Sequence, residues 1–207
     1  MIKKNNYEWF IDVGEIGPDY IPGHAHSDTL SFVLHINNCP FIVDTGISTY
    51  EESERRITER STAAHNTVIV NGEEQTEVWK SFRVGRRAHV TDLNEGSNFI
   101  TAEHDGFKHV GIRHTRRFEW NKNKLHINDL ISGKVDADAA AYFHFHPSVK
   151  VNKTENGVIA NKGRLTFDGH NQFRISTYHF AEKFNKLKSA LVVEVHFNKS
   201  LETIISL

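Results

Sequence analysis

Two histidines one residue apart in "GHAHSDTLSF", residues 23–32, are the first place where this sequence looks equipped for chemistry. In extended backbone, residues i and i+2 point to one face, so His24 and His26 are expected to present both imidazoles in one direction at the mouth of a strand. Imidazole is the commonest protein metal ligand, and the chain holds 14 histidines, an excess that favours a site without locating it. Two other segments offer partners. In "PFIVDTG" an apolar strand ends in Asp44, followed by Thr45 and Gly46; in "RSTAAHNTVIV" His65 stands directly before another strand. Two imidazoles and a carboxylate can hold zinc and leave a coordination position for water or another group. The residues equally allow a bland reading, with Asp44 capping the turn before Gly46 and His65 bonding a neighbouring carbonyl. Ligands at strand ends separated by long loops obey no tight spacing rule that would choose between the two.

The elements that must position these groups read as β. Short runs of alternating or β-branched residues are punctuated by turn signals, among them Asn71-Gly72 in "VIVNGEEQ". "RRFEWNKNKLHINDLISG" reads strand, polar turn, strand, and "VNKTENGVIANKGRLTFDG" reads as several short strands around Gly157 and Gly163. Further strands are expected at 7–13, 30–36, 41–44, 99–104, 139–146, 172–178 and 190–197. Only "YEESERRITERS", residues 50–61, is charged and β-poor enough for a helical turn or long polar loop. The fold class is therefore all-β, an antiparallel β-sandwich of many short strands with alternating residues filling the space between two sheets. The 207 residues suffice for one such unit, and no repeat, low-complexity tract or composition break marks a second.

Composition narrows the partners. A net charge of −1 gives no global field to recruit nucleic acid or an anionic membrane, and no run approaches the roughly 18 apolar residues of a membrane span. Neither partner is expected. Cys39 is the only cysteine, so there is no internal disulfide framework. "MIKKNNYEWFIDVG" lacks an apolar segment of secretory length.

Secondary candidates divide by type. Arg60 in "TERSTAAHNT" could offer a fork to a carboxylate, whereas Arg55 and Arg56 in "SERR" read as a solvated loop. Tyr50 could stack on a ligand or cap its own loop. The second HxH, His144 and His146 in "YFHFHPSV", reads as a sandwich strand whose histidines bond across the sheet. The basic patches "RVGRRAHV" and "IRHTRRF" read as solvent faces of strands.

Taken together, "PDYIPGHAHSDTLSF", "FIVDTGISTYE" and "RSTAAHNTVIVNGEEQ" resemble the successive signature blocks of the C-terminal domain of the heparinase II/III family of polysaccharide lyases. "GIRHTRRFEW", "INDLISG" and "YFHFHP" are similar to that family as well. The resemblance runs from about residue 12 to the end of the chain. It implies an antiparallel β-sandwich that follows a large α-helical toroid and holds a structural zinc ion, with His26, Asp44 and His65 as its ligands. His24 then faces substrate and helps neutralise a uronate carboxylate, with Arg60 and Tyr50 as substrate-binding candidates. The implied activity is cleavage of uronic-acid-containing glycans by β-elimination, in a periplasmic or secreted setting.

The family's proton-transfer residues belong to the toroid, and nothing in 1–207 resembles it. The expectation is thus a C-terminal domain whose partners are an acidic polysaccharide and a toroid of the same or another chain, inactive in isolation. A non-catalytic carbohydrate-binding or structural domain is the alternative.

Overall fold

The computed structural model describes residues 1–4, 6–133 and 137–207. Antiparallel strands dominate it. One sheet has eight strands, in the order Val151–Thr154, Gly157–Ala160, Gly163–Asp168, Ser200–Ser206, Lys124–Gly133, Ile112–Trp120, Phe99–His104 and Val90–Glu95. Two four-stranded sheets lie against it. The first runs Ile2–Lys3, Tyr7–Ile11, Phe32–Ile36, Cys39–Ile42; the second runs Gln172–Lys183, Lys186–Phe197, Ala139–His144, Val68–Val70. A bridge between Ile42 and Phe145 and a hydrogen bond from Val43 N to His144 O join these two edge to edge. The result is a sandwich, as the alternation requires.

Aromatic residues from facing layers interlock in the middle. Trp9 meets Phe32, Phe118 and Trp120 edge to face at 5.4–6.3 Å, and Phe143 lies 5.7 Å from Phe167 across the sandwich. Such rings each contribute on the order of 1.5–3 kcal/mol by burial, and edge-to-face pairs add to that. A small ribbon, Val78–Trp79 with Arg83–Val84, and the helix Glu54–Arg60 sit outside the layers. The helix begins at Ser53, whose hydroxyl accepts from Arg56 N, with Glu54 in the first turn and Arg60 in the last, as capping and the helix dipole favour.

The strands expected from the sequence are present with differences at their ends that have local causes, and Val90–Glu95 and Ser200–Ser206 are strands that the pattern did not mark. Leu30 adopts φ 59°, so its strand starts at Phe32 and not at Leu30. The strand expected at 41–44 is Cys39–Ile42 and stops before Asp44. Asn71 and Gly72 both have positive φ and make the tight turn, with Glu73 N bonded to Val70 O, but pairing ends after one bridge. The hairpin Gln172–Lys183/Lys186–Phe197 is longer than its apolar pattern because its outer half projects as a two-stranded arm. That arm matters to the site: Ala181 N donates to Thr45 O and Asn185 N to Ser48 O, holding the loop after Asp44. Gly46, at φ +78°, passes so close that a Cβ there would lie 3.1 Å from Ala181 O.

Candidate functional site

Four side chains from three loops converge where the first sheet meets the second. His65 caps the 3-10 turn Thr62–Ala64 and is 1% exposed. Its Nδ1 lies 2.6 Å from Asp44 Oδ2, while Asp44 Oδ1 accepts from Gly46 N at 2.8 Å. On the other side of the ring, Nε2 is 3.3 Å from His26 Nδ1. Donor atoms of His26, Asp28 and His65 all lie within 4.8 Å of one another.

The charges follow from this order. Burial opposes a proton on His65, but the Asp44 carboxylate and its hydrogen bond outweigh burial and push the pKa up to about 9. His26 is pushed down to about 3, first by burial and then by the cationic His65. Burial raises Asp28, whereas the His65 partner holds Asp44 low against its own burial. The 3.3 Å contact lets one proton be shared between the two imidazoles.

A divalent cation can replace that proton. Zinc–nitrogen bonds of about 2.0–2.1 Å in a tetrahedron put ligand nitrogens about 3.3–3.4 Å apart, matching the observed 3.3 Å. The donor set of two imidazoles and a carboxylate suits zinc. The two carboxylates are placed differently. Asp28 shares the opening with His26 and His65, while Asp44, the third ligand that the resemblance implies, lies 2.6 Å from the far nitrogen of His65. Asp28 lies two residues after His26 in "HAHSD", and that spacing is the sequence signal for it.

His24 and His26 do not look the same way. Pro22–His24 form a 3-10 turn, so the extended-backbone rule does not apply to them. The exposed His24 ring sits edge-on to Tyr50 at 5.8 Å and to Phe82 at 5.3 Å, while His26 turns to His65. Both still border one open cleft of about 350 Å³ with Asp12, Glu15 and Asp28. Tyr50 is 45% exposed and lies nearly parallel to Phe82 at 6.0 Å, with Phe184 alongside. Phe82 carried no sequence signal; only the ribbon's turn brings it here.

The arginines reverse their expected parts. Arg60, expected to bind substrate, is fully buried: Nε and Nη2 donate to Ala25 O at 3.0 and 2.9 Å, Nη1 to Lys80 O and Ser81 O, and Nη2 also to Arg83 O. All its donors are taken, so no fork is left for a sugar carboxylate. Arg60 instead fastens the backbone between His24 and His26. Of the pair read as solvated, Arg55 is exposed, but Arg56 is fully buried beneath Tyr50 and Phe82.

The second HxH does not bond across the sheet as expected; each histidine has a partner in a loop. His144 is buried with Nδ1 3.2 Å from Asn66 Oδ1, and His146 Nδ1 is 2.8 Å from Ser148 Oγ. A separate cavity of about 560 Å³ between the helix and the long hairpin reaches His144 but neither His26 nor His65. The patch "IRHTRRF" is not all solvent face: His114 and Arg116 are fully buried. Arg116 pairs with Asp129 through Nε at 2.7 Å and Nη2 at 3.1 Å, and Asp129 also takes His114 Nε2 at 2.7 Å. Arg116 Nη1 donates to Asn66 O at 2.7 Å, so this buried pair fixes the residue next to His65.

No helix of the described residues is long and apolar enough to cross a membrane. Among curated proteins, no sequence matches the chain. Solved structures do. "Crystal Structure of Heparinase III" superposes with a TM-score of 0.76 at 17% identity, covering 97% of this chain and 33% of that one. "Crystal structure of heparan sulfate lyase HepC from Pedobacter heparinus" gives 0.68 at 17%, covering 88% and 31%. "Heparinase III-BT4657 gene product, Methylated Lysines" gives 0.67 at 15%, covering 100% and 35%. At these identities the likeness is one of fold, and the chain spans about a third of the length of each protein. The family pattern "Heparinase II/III-like, C-terminal" matches residues 1–206, beginning well before the motifs that first suggested it. The chain belongs to the heparinase II/III-like family, as its C-terminal domain.

Proposed function

We propose that this domain serves a polysaccharide lyase that cleaves uronic-acid-containing glycans by β-elimination, with a structural zinc ion on His26 and His65 and with His24 turned to the sugar. The observation that carries the reading is the division within the HxH: one imidazole is enclosed against a second imidazole and two carboxylates, and its neighbour stands free between exposed aromatic rings. Proteins of the same fold described as heparinase III and a heparan sulfate lyase support the substrate class.

The chemistry assigns roles. Removing the proton next to a uronate carboxylate builds negative charge that must be stabilised as it develops, and an N–H of His24 donating to that carboxylate does so. Tyr50 offers its ring to the sugar. The general base, and the acid that protonates the departing glycosidic oxygen, come from a helical toroid of the same or another chain. When bound, zinc supplies a fixed positive charge and crosslink at the loop that aims His24; Arg60 holds the same loop through Ala25 O. The third ligand is Asp28 by the present geometry and Asp44 by the family resemblance. A periplasmic or secreted setting belongs to the same reading.

The test is a pair of substitutions in the domain joined to its toroid. His24→Ala is expected to keep zinc and thermal stability while losing at least about 100-fold in turnover, since the lost interaction belongs to the transition state. His26→Ala should lose zinc and stability together. Turnover is followed by the ultraviolet absorbance of the unsaturated uronate product, which the isolated chain should not generate. Equal losses of stability and of turnover in both variants would remove the division of labour.

The exposed aromatic group Tyr50, Phe82 and Phe184 favours one second reading, a domain that binds glycan without catalysis. It keeps saccharide binding by the isolated chain and expects no lyase activity in the joined protein.

A further inference from the structure

The helix Glu54–Arg60 buries two arginines and satisfies only one. Arg60 has carbonyl partners for all its donors. Arg56, one turn earlier and equally buried, donates only from Nε, to Ser81 O at 3.3 Å; both terminal nitrogens are shut from solvent with no hydrogen-bond partner. A guanidinium does not escape this by losing its proton, and a buried charge without hydrogen bonds or a counter-charge is costly. Glu59, whose charge reaches Arg56, has its oxygens occupied by the amide and hydroxyl of Ser48.

What covers Arg56 is aromatic. Its Cζ is 5.2 Å from the centre of the Tyr50 ring and 5.9 Å from that of Phe82. Ring faces ease the charge but accept none of its N–H bonds in the way an oxyanion does. Both rings are nearly half exposed, and neither lies in a main sheet: Tyr50 is on the loop before the helix and Phe82 on the turn of the small ribbon. Beside Phe82 opens a shallow cavity of about 380 Å³ lined by Glu52, Lys80, Ser81 and Arg83. His24 abuts both rings from the other side.

We propose that Tyr50 and Phe82 roof an oxyanion subsite whose floor is the Arg56 fork. With the Phe82 ring swung aside, the two terminal nitrogens of Arg56 donate to the carboxylate or sulfate of an acidic sugar bound next to His24. The planar fork matches either group in bidentate fashion. The choice of an acidic sugar rests on the lyase reading above; the choice of an anion rests on the unpaired fork.

The 207-residue chain, labelled so that arginine Nε–H and tyrosine ring signals are resolved by NMR, is titrated with a uronate disaccharide, a sulfated saccharide lacking uronate, and a neutral disaccharide. At least one acidic ligand should shift the Arg56 and Tyr50 signals and lose about tenfold or more in affinity in Arg56→Gln, with Arg56→Lys in between; the responding arm assigns carboxylate or sulfate. The neutral sugar should leave Arg56 unmoved. Acidic saccharide that leaves the Arg56 signals still, or binds Arg56→Gln as tightly, overturns the subsite. Should Arg56→Gln not fold, Phe82→Ala keeps the arginine and removes part of the roof: it should speed association of the acidic saccharide, and an unchanged rate overturns the proposal. Turnover in the toroid-joined protein with KM unaffected by Arg56→Gln sinks the subsite and spares the lyase reading. Binding through Arg56 in a joined protein without turnover does the reverse.

Discussion

Two lines of imidazole and carboxylate run through this domain, and they differ in how they end. Inside the eight-stranded sheet, Gly106 N donates to His104 Nδ1, His104 Nε2 lies 3.0 Å from His114 Nδ1, His114 meets Asp129, and Asp129 meets Arg116. Every member has a partner and all are buried. At the loop junction, Asp44 meets His65 and His65 meets His26, but beyond His26 lie Asp28 and an open cleft. The same residue types make a closed scaffold in one place and an open-ended line in the other. What separates them is a free end, because a closed network has no lone pair left for a cation or a sugar.

The comparison breaks most visibly at Asp129. Asp129→Ala strands Arg116 in the core, and loss of one partner of a buried pair costs about 3–5 kcal/mol. Denaturant unfolding of the zinc-free chain should show that loss, with less than about 2 kcal/mol for Asp44→Ala, whose side chain is 42% exposed. Equal losses would make the loop line as much a scaffold as the buried one.

The next effect sharpens the open line itself. If Asp28 completes the donor set, Asp28→Ala should end stoichiometric zinc uptake, and Asp44→Ala should weaken affinity only about 10–100-fold, as removal of a brace behind a histidine ligand does. Metal titration that reverses this order restores Asp44 as the ligand.

The smallest effect is a slope. Burial, first of all, holds His104 well below and His114 below the ordinary histidine range, with Arg116 reinforcing both shifts. The unfolded chain takes up protons below about pH 6.5 that folded His104 refuses, so its contribution costs nothing above that pH and destabilises the fold on acidification, by up to about 1.4 kcal/mol per pH unit, with His114 acting in the same direction. Urea midpoints between pH 7 and pH 5 should fall less steeply in His104→Gln. An unchanged slope would mean that the folded network accepts the proton.

Much of this was legible in the residues. The strands and the motif blocks His24-Ala25-His26, Asp44 and His65 stand out because alternation and turn chemistry are local. Period two also carries the buried ion pair. Ile112, His114, Arg116, Phe118 and Trp120 occupy one face; Leu125, Ile127, Asp129 and Ile131 occupy one face of the next strand; and the short turn sets Arg116 opposite Asp129. The basic character of "IRHTRRF" concealed a core face. Arg60 and Arg56 were not legible, because what an arginine in a short helix touches depends on a ribbon some 20 residues later in the chain. Nor was the parting of His24 from His26, since one 3-10 turn decides it.

Asn66, beside His65, bears on the order of assembly. Its side chain donates to Phe32 O and Val43 O and accepts from His144 N, while its carbonyl takes Arg116. Five segments spread over more than half the chain must therefore be in place before His65 is held, and closing such distant contacts comes late in folding. A cation bound by His26 and His65 would then capture a finished site and not nucleate it. Its stabilisation should appear as slower unfolding, leaving the folding rate nearly as it is without metal.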